Sequence, residues 1–340
     1  MMDSLFVIDP GPFATIQDLG RFGYQCFGVS VSGAMDENAL RVANILVGNG
    51  EGEAAIEFTL AGGSYRVEAD VCRVAVAGGD FPVSINDIPA SSHACHTLGR
   101  GDRIAIGHAT TGARGYLAVA GGFDLPEDLG SRSTHIRSAL GGLNGEGLSA
   151  GARISLRAPG ALDGPDLSLP FALWPHGEGS IRVVLGPQDY LFTQAGIETL
   201  LSSEYKVSPK SDRMGCRLDG PVVEHAGDFN IVSDGIARGS IQIVGDGQPI
   251  VLLADRQTTG GYAKIATIIS ADLPLFAQRR PGQSVRFEAI SITEAENLRE
   301  TMLDGLEHLR ESMVATGSAN RETEHLLRTN LIDGVVGGVY

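Results

Sequence analysis

The chain has 340 residues, 43% of them hydrophobic and 20% charged, and carries a formal net charge of −15. That balance supports a substantial core and excludes a largely disordered chain, and the length favours two domains over one. The negative charge repels phosphate backbones and anionic lipid, so neither nucleic acid nor a membrane is an expected partner.

Near the start, "IQDLGRFGYQCFGVSVSGAMD" concentrates Asp18, Arg21, Tyr24 and Asp36. An Arg among carboxylates is either a fixed salt-bridge corner or an anion clamp, and the corner is favoured. Asp36 then caps a helix over "ENALRVANILVG", with Leu40, Ala43, Ile45, Leu46 and Val47 as its apolar stripe and Gly48 as its stop.

Period-two alternation follows in "YRVEADVCRVAVAGG" and "RGYLAVAGG", and three turn glycines, Gly101, Gly151 and Gly282, each precede a short alternating run. These are strands leaving tight turns, and with few helical patterns the chain is expected to be mainly β. Within this region "HACH" offers His93, Cys95 and His96, but a strand points the first two to one face and His96 to the other, so no metal site is expected.

Prolines and glycines over 158–179 read as a linker. Domains are therefore expected at 1–165 and 166–290, with a C-terminal helix and returning tail at 291–340. A helix is expected near Asp189 to Ser202, and polar loops at "SDRMGCRLDGP" (Arg213, Arg217) and "SDGIARGS" (Asp234, Arg238).

The segment "LLADRQTTGGYAKIATIISADLP" places one of only three lysines, Lys264, at the start of an apolar strand. Such a lysine is costly unless paired, with Asp255, Asp234 or Asp272 as candidate partners, or else it snorkels to water from the strand end. Gln257, Thr258 and Thr259 ahead of two glycines supply an amide and two hydroxyls in a turn, suited to a small polar molecule or to capping the turn itself. A last helix over "TEAENLRETMLDGLEHLRESM" is expected to start at a capping box of Thr293 with Glu296, followed by a mobile loop, "ATGSANRETEHLL", and a final strand in "NLIDGVVGGVY".

Four cysteines without a C-x-x-C pair, and an acidic start where a basic leader segment would stand, point to free thiols and a cytoplasmic location. Phosphate-loop, nucleophile-elbow and zinc-protease motifs do not occur, and the apolar runs are far below the roughly 20 residues of a membrane span.

Several blocks in order, "TIQDLGRFGY", "SGAMD", "YLAVAGGF", "LGSRST", "DRMGCRLDGP", "SDGIARGSIQI", "GDGQPIVLLADRQTTGGYAKIATIISADLP" and "NLIDGVV", resemble the allophanate hydrolase subunit 2, or KipA-like, family of biotin-dependent carboxyltransferase relatives. The resemblance implies two β-barrel-like domains of cyclophilin type with a few short helices and a long C-terminal one. Bacterial members of this size resemble the C subunit of ATP-dependent 5-oxoprolinase, which implies a KipI-like B subunit, a LamB/YcsF-like A subunit, a small amide or lactam substrate, and ATP with Mg2+ bound mainly by those partners. Phosphorylation of the lactam oxygen would activate a bond that otherwise resists water. Cofactor-binding residues on this chain are not assigned, and Lys264 in "YAKIA" is not a biotinyl-lysine motif, so no covalent biotin is expected.

By the same resemblance Asp234 is the first catalytic candidate, and the "ADRQTTGGYAKIA" block adds Lys264 for catalysis and Gln257, Thr258 and Thr259 for substrate binding; the polar patterns themselves add Asp18, Arg21 and Arg213 as substrate-binding candidates. Cys216 replaces an aromatic residue and Val244 a proline that are common among relatives. The alternatives are a carboxyltransferase component acting on urea or another amide, and a KipA-like regulator that binds a KipI-like partner without turnover.

Overall fold

The alternating runs do become strands. In the computed structural model, which describes residues 3–157, 165–169 and 179–316, the three turn glycines lead into strands Arg103–His108, Arg153–Ser155 and Ser284–Val285. The first part of the chain builds two sheets. One runs Arg153–Ser155, Ser4–Asp9, Ala61–Val67, Arg103–His108, Val83–Ile85, Ile88–Ala90; the other runs Ala14–Gln17, Ala55–Thr59, Thr111–Val119, Val71–Asp80, Cys95–Gly99.

They face each other over a core that includes Leu5, Ile16, Phe58, Val74, Val76, Leu117 and Val119. Alternation puts Ala75, Ala77, Tyr116 and Ala118 on the opposite face, where small side chains admit helix α1 (Glu37–Leu46) closely. As expected, Asp36 caps α1, its carboxylate accepting from the Ala39 N–H at 3.0 Å.

The second part wraps one eight-stranded sheet around its own core, in the order Ser284–Val285, Tyr205–Val207, Gly215–Asp219, Pro249–Leu252, Ser240–Ile243, Lys264–Ile268, Ile181–Leu185, Phe287–Ala289. Its two edge strands are separated by Arg286 alone, so the edges meet and the sheet nearly closes as a barrel. A two-stranded hairpin, Asn230–Gly235 with Thr259–Tyr262, stands off this barrel.

Helix α2 (Gln194–Ser202) is capped by Thr193, a few residues later than the sequence indicated, because Asp189–Leu191 forms a 3-10 turn first. After the short α3 (Leu273–Ala277), the long α4 (Ile292–Glu311) begins at Ser291, not Thr293. Ser291 Oγ accepts from the Glu294 N–H at 3.2 Å, so an equivalent Ser-x-x-Glu pattern two residues earlier won the cap. Leu306, Leu309 and Met313 at the end of this segment pack on the α1 cluster.

Strand Val314–Thr316 takes in Ala315 and Thr316, the first two residues of the expected loop, and pairs with Asp166–Ser168 inside the expected linker. The rest of that loop, the final strand expected in "NLIDGVVGGVY" and most of the linker lie outside the described residues. Among the described residues no helix is long and apolar enough to cross a membrane.

The two parts are joined by buried polar groups. Arg213 lies between Glu57 of the first part and Asp255 of the second, at 2.5 and 2.9 Å, and also donates to Gly33 O at 2.7 Å. Gln278 accepts from the N–H groups of Ala113 and Arg114 and donates to Asp36 at 2.7 Å.

Candidate functional site

Lys264 opens a central strand of the barrel, with Ala263 alone separating it from the hairpin strand that ends at Tyr262. The hairpin pairs Asp234 with Gly260 and Gly235 with Thr259, which brings Asp234 back over the barrel rim. There Lys264 Nζ donates to Asp234 Oδ2 at 2.9 Å. Lys264 is thus paired and 1% exposed, and the snorkelling alternative fails. The other two carboxylates considered for it are committed elsewhere: Asp255 to Arg213, and Asp272 to Arg182.

A third side chain completes the cluster, and no motif pointed to it. Gln188, beyond the end of strand Ile181–Leu185, donates from Nε2 to Asp234 Oδ2 at 3.0 Å and accepts at Oε1 from the Lys264 N–H at 3.1 Å. Asp234 Oδ1 takes the N–H of Gly235 at 2.8 Å. The bond from Lys264, then those from Gly235 and Gln188, hold the Asp234 carboxyl below its ordinary range, so it is ionised at neutral pH.

Gln257 and Thr258 lead into the hairpin strand Thr259–Tyr262, in which Thr259 pairs with Gly235. Thr258 O accepts from the Ile236 N–H at 3.0 Å, locking the base of the hairpin, and the side chains of Gln257 and Thr259 are exposed. Gly260, opposite Asp234, lets side chains approach closely: a Cβ there would lie 2.7 Å from Ile236 Cδ1 and 3.0 Å from Gln242 Nε2 and would push those side-chain ends aside. The chemistry on offer is an exposed, ionised carboxylate backed by a buried ammonium and by the Gln188 amide. Such a group accepts an N–H from a small amide or orients a water molecule.

Three other sequence candidates sit differently. Arg213 is buried, and every nitrogen of its guanidinium donates within the junction. Burial opposes its charge, but Asp255 and Glu57 outweigh burial and raise its pKa above the ordinary value. Arg21, 1% exposed, donates to the carbonyls of Ser133 and Asp128; the Asp18 carboxylate accepts from Ser131, Ser133 and the N–H groups of Arg132 and Gly20. That is the fixed corner, made through backbone and serines instead of a direct ion pair. Among the described residues no hydrogen bond joins Asp18, Arg21 or Arg213 to Asp234 or Lys264.

The "HACH" groups also separate: His93 Nε2 lies 3.0 Å from Gly78 O, Cys95 faces Asp166, and His96 meets Ser91 O. Among the described residues no group of three or more His, Cys, Asp or Glu is placed to hold a metal. An open groove of about 670 Å³ lies on the six-stranded sheet, lined by Asp9, Arg103 and His108 among others, and none of the candidate residues lines it.

The comparisons with known proteins agree with this architecture. Residues 27–289 match the family described as carboxyltransferase domain, subdomain A and B. The chain is 38% identical to the 5-oxoprolinase C subunit of Haemophilus influenzae, covering 86% of this chain and 93% of that one, and 36% identical to its Escherichia coli counterpart, covering 87% and 94%. It is also 34% identical to urea amidolyase of Lachancea kluyveri, spanning 91% of this chain but 18% of that one. Among solved structures, Kluyveromyces lactis urea carboxylase superposes with a TM-score of 0.85 at 31% identity, over 94% of this chain and 30% of that one. A fold that matches over nearly its whole length, and a family model spanning both parts, make this chain a member of the carboxyltransferase domain family, subdomain A and B.

Proposed function

We propose that this chain is the C subunit of a cytoplasmic, ATP-dependent 5-oxoprolinase that opens 5-oxoproline to L-glutamate. The observation that carries the reading is coverage: the two 5-oxoprolinase relatives are matched over 93% and 94% of their own length, the urea amidolyase over 18%. A KipI-like B subunit and a LamB/YcsF-like A subunit complete the enzyme in this reading.

ATP and magnesium are assigned to those partners. The lone Asp234 carboxylate, already bonded to an ammonium and an amide, is a poor magnesium ligand set, and the chain has no phosphate-loop motif. Asp234 then accepts the lactam N–H or orients the attacking water and takes its proton. The water oxygen bonds to the carbonyl carbon as the carbon–nitrogen bond breaks, the ring nitrogen leaves as the glutamate amine after gaining a proton, and the phosphoryl group that ATP would place on the lactam oxygen is released by hydrolysis as inorganic phosphate. Lys264 keeps Asp234 ionised and balances negative charge as it develops. Gln257, Thr258 and Thr259 contact the substrate.

The test is glutamate release from 5-oxoproline with ATP and magnesium, comparing the KipI-like and LamB/YcsF-like partners by themselves with the mixture that includes this chain. Turnover only in the full mixture supports the reading, and equal turnover without this chain ends it.

A second reading, a carboxyltransferase component acting on urea or another amide, is favoured by the superposition on urea carboxylase. Substrate-dependent consumption of carboxybiotin by an assembly containing this chain would select it.

A further inference from the structure

Resting on the reading that Asp234 acts on the substrate, we propose that Gln188 is its positioning residue, occupying Oδ2 so that Oδ1 is the oxygen presented to the substrate N–H or to water. The barrel ladder sets this geometry. Strand Ile181–Leu185 runs antiparallel to Lys264–Ile268, with Leu185 opposite Ala266. Beyond it the Gly186 N–H donates to Ile265 O at 2.9 Å and the Gln188 N–H to Lys264 O at 3.0 Å.

The next rung must satisfy the Lys264 N–H, a buried donor, and the acceptor is the Gln188 side chain, not a backbone carbonyl. A backbone N–H only donates, so the amide oxygen has to sit on that side and the amide cannot flip. Its NH2 group is thereby aimed at Asp234 Oδ2, where it converges with Lys264 Nζ. One amide ties the carboxylate to the barrel backbone, and Gly235 supplies the sole protein hydrogen bond at Oδ1 among the described residues.

The charged group facing Asp234 from the barrel strand is Lys264; its paired hairpin strand, Thr259–Tyr262, carries Tyr262 as its one titratable side chain, and the segment with Gln188 carries Asp189 and Tyr190.

The experiment measures kcat/KM against pH in the complete complex for wild type, Gln188→Glu and Gln188→Leu. Gln188→Glu keeps an oxygen for the Lys264 N–H and sets a second carboxyl against Asp234. A shared proton then restores the donated bond, and its loss leaves two repelling carboxylates, so activity relative to wild type should fall about tenfold as pH rises through that loss. Gln188→Leu removes a donor that favours the ionised carboxylate, so its relative activity should rise with pH. Ratios that stay flat with pH in both variants, in folded and assembled complexes, overturn the positioning role. Asp234→Asn separates the two claims: wild-type turnover there ends the underlying reading, whereas loss of turnover there with flat Gln188 ratios ends this inference alone.

Discussion

Lys264 and Asp234 share a 2.9 Å ion pair but not an environment: the lysine side chain is 2% exposed and the aspartate 52%. The pair is therefore unequal to mutation. Asp234→Ala strands a desolvated ammonium and should lower Tm, whereas Lys264→Met removes the buried charge, leaves the carboxylate in water, and should cost less stability or none. In the assembled enzyme both should reduce kcat by roughly 10²-fold or more, the scale of a lost general acid–base group. Thermal melts and turnover on the same preparations check this, and equal Tm losses would contradict the asymmetry.

Arg213 calls for a different response. Its guanidinium bridges Glu57 and Asp255 across the two parts of the molecule, and removing it leaves two buried carboxylates without their ion-paired partner. Arg213→Met should destabilise by about 3–5 kcal/mol in denaturant titrations. Arg213→Lys should restore little of it, because an ammonium cannot reproduce a fork that reaches Glu57, Asp255 and Gly33 O together.

How much of this was legible beforehand follows from the range of each interaction. The Asp36 cap, the α1 stripe and the turn-glycine strands are local, so a few adjacent residues specify them. That Lys264 needed a carboxylate followed from its place on an apolar strand, but choosing Asp234 over Asp255 and Asp272 required the hairpin fold. Gln188 was invisible: it lies 76 residues from Lys264, and a polar amide after a Gly-Pro turn has no distinctive spacing. Asp18, Arg21 and Arg213 looked like site residues because buried polar networks and binding sites use the same residue types. Only their burial and partners show that they hold the junction and the corner.

Asp36 gives a pH dependence of stability. It is fully buried, and burial pushes its carboxyl up to about 6, against the bonds from Gln278 and the Ala39 N–H. A folded-state value above the unfolded one means the native state binds more protons in between. The Asp36 contribution is thus fully present below about pH 4 and is lost as pH rises through about 6. A displacement over that window corresponds to roughly 3 kcal/mol. Asp36→Asn keeps an oxygen for the cap but sets its NH2 against that of Gln278, a penalty that does not change with pH. The difference in unfolding free energy between wild type and variant should therefore shift in favour of the variant between about pH 4 and 7; a constant difference would show that Asp36 does not titrate in that window.

The four cysteines test packing in both parts of the chain. All are free; Cys26 is exposed, and Cys72, Cys95 and Cys216 are buried. Burial pushes the three buried thiols up to about 12, 11 and 11, respectively, so they carry almost no reactive thiolate at neutral pH. A thiol reagent near pH 7.5 should label one cysteine quickly in the native chain and all four after denaturation, and Cys26→Ser should abolish the fast phase. Cys216 is the informative exception to look for. It lies on the barrel strand Gly215–Asp219, next to the Met214 and Arg213 backbone that joins Leu253 and Asp255. Loosening the junction with Arg213→Met should therefore expose Cys216 to the reagent before Cys72, which sits in the separate core between the first two sheets. Simultaneous exposure of both would mean that the two parts unfold as one unit.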